Sequence, residues 1–168
     1  MTAPRVVLVG PMGAGKTTVG RLLAARWEVS FRDTDDVVEE GEGRSVSDIF
    51  VDSGEDHFRT LERAAVARAL SDHPGVLALG GGAVMSEETR AALAGHQVVF
   101  LRVGLSDAAA RVGLGAARPL LLGNVRGTMK ALLDERTPVY LSVAVATVDT
   151  DGRTPDEVAD GVEEVLRG

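Results

Sequence analysis

Gly10-Pro11-Met12-Gly13-Ala14-Gly15-Lys16-Thr17 places glycine, glycine, lysine and threonine at the spacing GxxxxGK[ST]. That spacing suits the binding of polyphosphate. Glycines let a backbone fold back so that several N–H groups face one anion. A helix starting at the same point adds favourable partial charge. Gly13, Ala14, Gly15 and Thr18 are therefore assigned to a nucleoside triphosphate, with Lys16 reaching its β- and γ-phosphates. The Thr17 hydroxyl is assigned to Mg²⁺. Every basic side chain is arginine except Lys16 and Lys130, so position 16 is read as needing a compact ammonium rather than a planar fork.

A second group of candidates is Asp33-Thr34-Asp35. Alternate residues of an extended chain share a face, so both carboxylates can point into one site. One of the pair suits the Mg²⁺ shell. The other suits an attacking hydroxyl, whose proton it would take up. A guanine-reading switch would carry Asn-Lys-x-Asp, but the single asparagine, Asn124, is followed by Val125 and Arg126. A motor-type ATPase would end its third strand in an acid, whereas Val76–Leu79 runs into Gly80. A phosphotransferase is the better reading.

These residues need a scaffold, and the chain predicts one. Arg5–Val9 is a buried strand, followed by a helix over 16–26 with Val19, Leu22 and Leu23 on one face. Val29–Arg32 is a second strand, followed by short helices over 35–40 and 46–51. Glu55–Leu70 is a longer helix with Phe58, Leu61, Ala65 and Ala69 in one stripe. Strands at 76–79, 97–103 and 144–149 alternate with helices at 87–94, at 106–113 (capped by Ser106), and at 125–136. Thr154-Pro155-Asp156-Glu157 has the pattern of a capping box opening a last helix. This βα alternation predicts a single domain, a three-layer α/β/α sandwich around about five parallel strands. Such sheets bind ligands at the carboxyl ends of their strands.

Composition narrows the partners. The 168 residues include 18 basic and 25 acidic side chains, a net charge of −7, which disfavours nucleic acid as the main partner. With no cysteine, disulfide and thiolate chemistry are excluded. The opening apolar run is too short for a signal peptide or membrane span, so a cytoplasmic protein without a membrane partner is expected. No oligomerisation motif stands out, and a monomer is the default expectation.

Taken together the motifs resemble the shikimate kinase family. They are the phosphate loop; Asp33-Thr-Asp35; Gly54-Glu-Asp-His-Phe-Arg59 with Glu62; Leu79-Gly-Gly-Gly-Ala83; Arg118-Pro-Leu-Leu121; and, more weakly, Glu135-Arg136-Thr-Pro-Val-Tyr140. The resemblance covers essentially the whole chain and implies a P-loop fold of the nucleoside monophosphate kinase type. It also implies transfer of the γ-phosphoryl of ATP to the 3-hydroxyl of shikimate, on the route to chorismate and the aromatic amino acids.

The resemblance assigns Arg59 and Arg136 to the substrate carboxylate. Gly80, Gly81 and Gly82 would approach the substrate ring and offer N–H donors, and Phe50 and Phe58 would wall its pocket. Arg118, in a mobile lid over 113–124, would contact the transferring phosphates. Arg111 and Arg153 would flank adenine. Asp33 is assigned to the Mg²⁺ side and Asp35 to the acceptor hydroxyl. His57, His73 and His96 fit no catalytic pattern and are expected at the surface.

Overall fold

The computed structural model describes residues 3–112 and 125–167. Five strands, β1 (Val6–Val9), β2 (Phe31–Asp33), β3 (Val76–Ala78), β4 (Val98–Arg102) and β5 (Ala146–Asp149), form one sheet in the order β2-β3-β1-β4-β5. Every pairing is parallel. The central strands are buried on both faces, which is why they read as continuous apolar runs.

Period-two alternation still sorts their side chains. Val6 and Leu8 of β1, with Val99 and Leu101 of β4, face helices α1 (Lys16–Trp27) and α8 (Pro155–Arg167). Val7 and Val9, with Val98 and Phe100, face α4 (Glu55–Asp72), α5 (Glu87–Leu93) and the carboxyl-terminal half of α7 (Val125–Val143). The result is the expected α/β/α sandwich. Between β2 and α4, α2 (Thr34–Glu42) and α3 (Val46–Ser53) enclose a satellite core of Val38, Ile49, Phe58 and Ala65. Among the described residues no helix is long and apolar enough to cross a membrane.

Several boundaries differ from expectation. Val29 is not in a strand, because Glu28 turns left-handed (φ 54) and the Val29 N–H bonds back to Ala24 O, closing α1. Ser106 is not a cap; α6 (Leu105–Val112) already starts at Leu105, with Ala108 N–H donating to Gly104 O. The helix expected to end at 136 continues through Pro138 to Val143. Proline forfeits one helical hydrogen bond. Beyond it, Tyr140 is buried and stacks on Phe100 at 4.9 Å, and that packing carries the helix on. The capping box of α8 forms as expected, with Thr154 N–H donating to Glu157 (2.9 Å) and Glu157 N–H to Thr154 Oγ1 (3.2 Å).

His73 corrects another expectation. It is buried, not at the surface, and its Nε2 lies 2.9 Å from Val76 O where α4 turns into β3. Burial lowers its pKa, only partly offset by the bond to Val76. The folded protein therefore holds the neutral ring, while the unfolded chain takes up a proton below about 6.5. This contribution to stability is present above that pH and is lost as pH falls towards the lowered folded value. Denaturant titrations should show the stability gap between wild type and His73→Gln shrinking from about pH 7.5 to pH 5. A gap independent of pH would mean that His73 titrates alike in both states.

Candidate active site

The phosphate loop springs from the carboxyl end of β1. Gly10 has φ 152, and a Cβ there would sit 2.6 Å from Leu101 O, so glycine lets the loop pass against β4. Gly13 and Gly15 are left-handed (φ 87 and 91), and Gly15 opens α1. Lys16 folds over the loop, its Nζ donating to Gly10 O (2.7 Å) and Pro11 O (3.0 Å). Thr17 Oγ1 donates to Asp33 Oδ2 (3.2 Å).

Asp33 and Asp35 do not alternate along an extended chain. Asp33 ends β2 and caps α2, accepting the Asp35 N–H at 2.8 Å, while Asp35 lies in the first turn. The strand-to-helix switch sends the two carboxylates different ways, Asp33 to Thr17 and Asp35 into a neighbouring cleft. Burial pushes the Asp33 pKa up, against the pull of the Asp35 N–H and the Lys16 charge. A hydroxyl and a carboxylate this close suit Mg²⁺, which takes few protein oxygens and keeps phosphate and water for the rest.

A cleft opens beside the loop. It brings together every acceptor-side residue expected from the sequence: Asp35, Phe50, Phe58, Arg59, Gly80, Gly81, Gly82 and Arg136. Met12, Val46 and Ser47 also line it and were not anticipated. Met12 sits at a free position of the phosphate-loop motif, which marked the segment but not that side chain. Val46 and Ser47 carried no chemical signal.

Arg59 is held on three sides. Glu62 accepts from it at 2.8 Å and Glu55 at 3.2 Å, and its guanidinium lies 5.3 Å from the Phe58 ring. Glu62 is buried, and its desolvated carboxyl has a raised pKa despite Arg59 and Arg136 nearby. Arg136 is only 8% exposed, and its Nε has no hydrogen-bond partner among the described residues.

In the glycine triplet, one of the three expected donors is already engaged within the protein. None of the three has positive φ, and Gly80 N–H is already donated to Thr34 Oγ1 at 3.1 Å. What these glycines supply is room. A Cβ on Gly80 would lie 2.6 Å from Asp35 Oδ1 and 2.9 Å from Glu62 Oε2; one on Gly82 would lie 2.6 Å from Arg59 Nη2.

A further cleft lies on the other side of the loop, lined by Ala14, Gly15, Thr18, Val19, Thr150, Arg153, Pro155 and Val158. It places Arg153 and Thr18 together, as expected of a base-side pocket. Arg118 and the side chain of Arg111 lie outside the described residues, as does the 113–124 segment.

A family model described as shikimate kinase matches residues 12–167. The shikimate kinase of Salinispora arenicola is 61% identical over 164 residues, covering 98% of each chain. The solved structure of shikimate kinase from Acinetobacter baumannii, in complex with shikimate, superposes with a TM-score of 0.93 at 34% identity, covering 99% of this chain and 94% of that one. A gluconokinase from Sinorhizobium meliloti reaches a TM-score of 0.58 at 18% identity, a likeness of fold alone. The chain belongs to the shikimate kinase family.

Proposed function

We propose that this chain transfers the γ-phosphoryl group of ATP to the 3-hydroxyl of shikimate, giving ADP and shikimate 3-phosphate. Besides the family, one observation carries the proposal. Arg136 is a buried cation with an unsatisfied Nε, and it shares with Arg59 a cleft that abuts the phosphate loop. A small anionic acceptor is what such a cleft lacks, and a carboxylate matches guanidinium geometry.

The transfer is direct and in line, without a phosphoenzyme. The acceptor oxygen bonds to the γ-phosphorus as the bond to the β–γ bridging oxygen breaks, and ADP leaves. Asp35, at the loop side of the cleft, orients the hydroxyl and takes its proton. Lys16 gives up the Gly10 and Pro11 carbonyls for the β- and γ-phosphates, where negative charge accumulates. Thr17 and Asp33 would hold Mg²⁺, which when bound neutralises phosphate charge. Arg118 joins as a further phosphate contact on the resemblance alone. Arg59, steadied by Glu62, and Arg136 grip the carboxylate. Phe50 and Phe58, 4.9 Å apart, wall the ring and exclude water.

A coupled ADP-release assay across shikimate, gluconate and nucleoside monophosphates tests the acceptor; turnover with shikimate alone is expected, and preference for another acceptor would overturn the proposal. Arg136→Ala should raise the KM for shikimate about ten- to a thousandfold, the loss of a desolvated charged hydrogen bond, with the KM for ATP nearly unchanged. An unaltered shikimate KM would remove Arg136 from the acceptor site.

The two aspartates should separate kinetically. Asp35→Asn keeps the shape but loses charge and basicity, so kcat should fall by about 10²–10⁴-fold while Mg-ATP still binds. Asp33→Asn should instead raise the Mg²⁺ concentration needed for activity, with a milder effect on shikimate. Turnover of each variant against titrated Mg²⁺ and shikimate decides. Near-normal turnover in Asp35→Asn, with Asp33→Asn dead at any Mg²⁺ level, would reverse the assignment.

A further inference from the structure

Tyr140 does not line the acceptor cleft, yet it touches two parts of its wall. Its hydroxyl, on a buried side chain, donates to Gly81 O. The Arg136 guanidinium lies beside the Tyr140 hydroxyl. Arg136 and Tyr140 are four residues apart on α7, so their side chains stack on one face of the helix. A Cβ on Gly81 would lie 3.6 Å from Arg136 Nη1, which places all three groups in contact.

We propose that Tyr140 is a positioning residue for the acceptor carboxylate, its hydroxyl holding the Gly81 peptide and the Arg136 guanidinium in a single arrangement. The mechanics follow from peptide planarity. Gly81 O and Gly82 N–H belong to one rigid unit and point opposite ways. Anchoring the carbonyl on Tyr140 therefore fixes the direction of the Gly82 N–H as well, in a glycine stretch that would otherwise have wide backbone freedom.

The ring is itself immobilised by stacking on Phe100 of β4 at 4.9 Å. Burial pushes the phenol pKa up to about 12, so the hydroxyl keeps its proton and remains a donor at any working pH. Arg136 gains a fixed neighbour without losing charge, because phenol is neutral. A carboxylate in that place would pair with the guanidinium and compete with the substrate's own.

The inference rests on the reading of Arg136 as a carboxylate ligand, and the test keeps the two apart. Tyr140→Phe retains the ring and its stacking and removes only the oxygen. It should raise the KM for shikimate about tenfold, the effect of one lost buried hydrogen bond, with the KM for ATP unchanged and kcat within about threefold. In an Arg136→Ala background the same change should raise the shikimate KM by less than it does in the wild type, because part of the effect of Tyr140 runs through the missing side chain. Effects that multiply, or an equal rise in both Michaelis constants, would show a merely structural role and overturn the proposal. If Arg136→Ala raises the shikimate KM but Tyr140→Phe does not, only the inference about Tyr140 fails. If Arg136→Ala has no effect, the carboxylate reading itself fails.

A second measurement needs no variant. Tyr140 is the only tyrosine in the chain, so protein labelled with fluorotyrosine gives one fluorine resonance. That resonance should move on addition of shikimate and stay in place with ADP alone. A signal indifferent to shikimate would overturn the proposal even if Tyr140→Phe could not be purified folded.

Discussion

A buried cation with one unpaired nitrogen sets the terms for the rest of the site. Arg59 is balanced by Glu62 and Glu55, but Arg136 is desolvated with its Nε unpaired among the described residues. A charge out of water is costly unless paired. Two devices keep it tolerable. The buried Glu62 carboxylate lies near both guanidiniums and offsets part of their charge. The Tyr140 hydroxyl stands beside the Arg136 guanidinium without adding charge. What remains is one unpaired guanidinium N–H beside the cleft, a donor suited to an anion. Electrostatics of this kind selects an acceptor before any contact with its hydroxyls is made.

Strand order explains why the acceptor cleft and the phosphate loop adjoin. β2, β3 and β1 are neighbours, and their registers bring Asp33 level with Ala78 and Ala78 level with Leu8. Just beyond that level the three strands release Asp35, the glycine triplet and the phosphate loop. Neighbouring strands stand about 4.8 Å apart, so these groups emerge within one short arc. β4 leaves on the opposite side of β1, and the loop sits where the connections diverge, the usual place for a ligand in an open α/β sheet. The cleft that holds Arg153, after β5, falls on that other side.

Much of this was legible in the sequence because it depends on local rules. The phosphate loop needs glycines at fixed spacing, and α8 needs a capping box; both are written in adjacent residues. The strands were found from apolar runs, and the acceptor residues came from motifs the chain shares with a family. What was missed depends on tertiary contact. His73 is unremarkable in sequence and becomes buried only because α4 ends against β3. The helix expected to end at 136 runs on to Val143, where Tyr140 packs on Phe100. Asp33 and Asp35 were placed on one extended face, yet a helix starting at Thr34 turned them apart. The hydroxyl contact from Tyr140 to Gly81 joins residues 59 positions apart, beyond the reach of any local pattern.

The glycine triplet shows how an absent side chain can organise charge. Gly80 leaves room for Asp35 and Glu62, and Gly82 for Arg59. Two carboxylates of like charge would ordinarily drift apart. Here both press against one Cα, and Arg59 bonded to Glu62 from the next turn of α4 makes that closeness tolerable. A methyl group at Gly80 would displace the carboxylates of Asp35 and Glu62 together. The same backbone segment is anchored by Thr34 Oγ1 at its start and by Tyr140 one residue later. Asp35, Glu62, Arg59 and Arg136 are thus referenced to three consecutive residues at the end of β3. Their spacing is set before substrate arrives, which is the condition under which fixed charges lower a barrier without paying for reorganisation during the reaction.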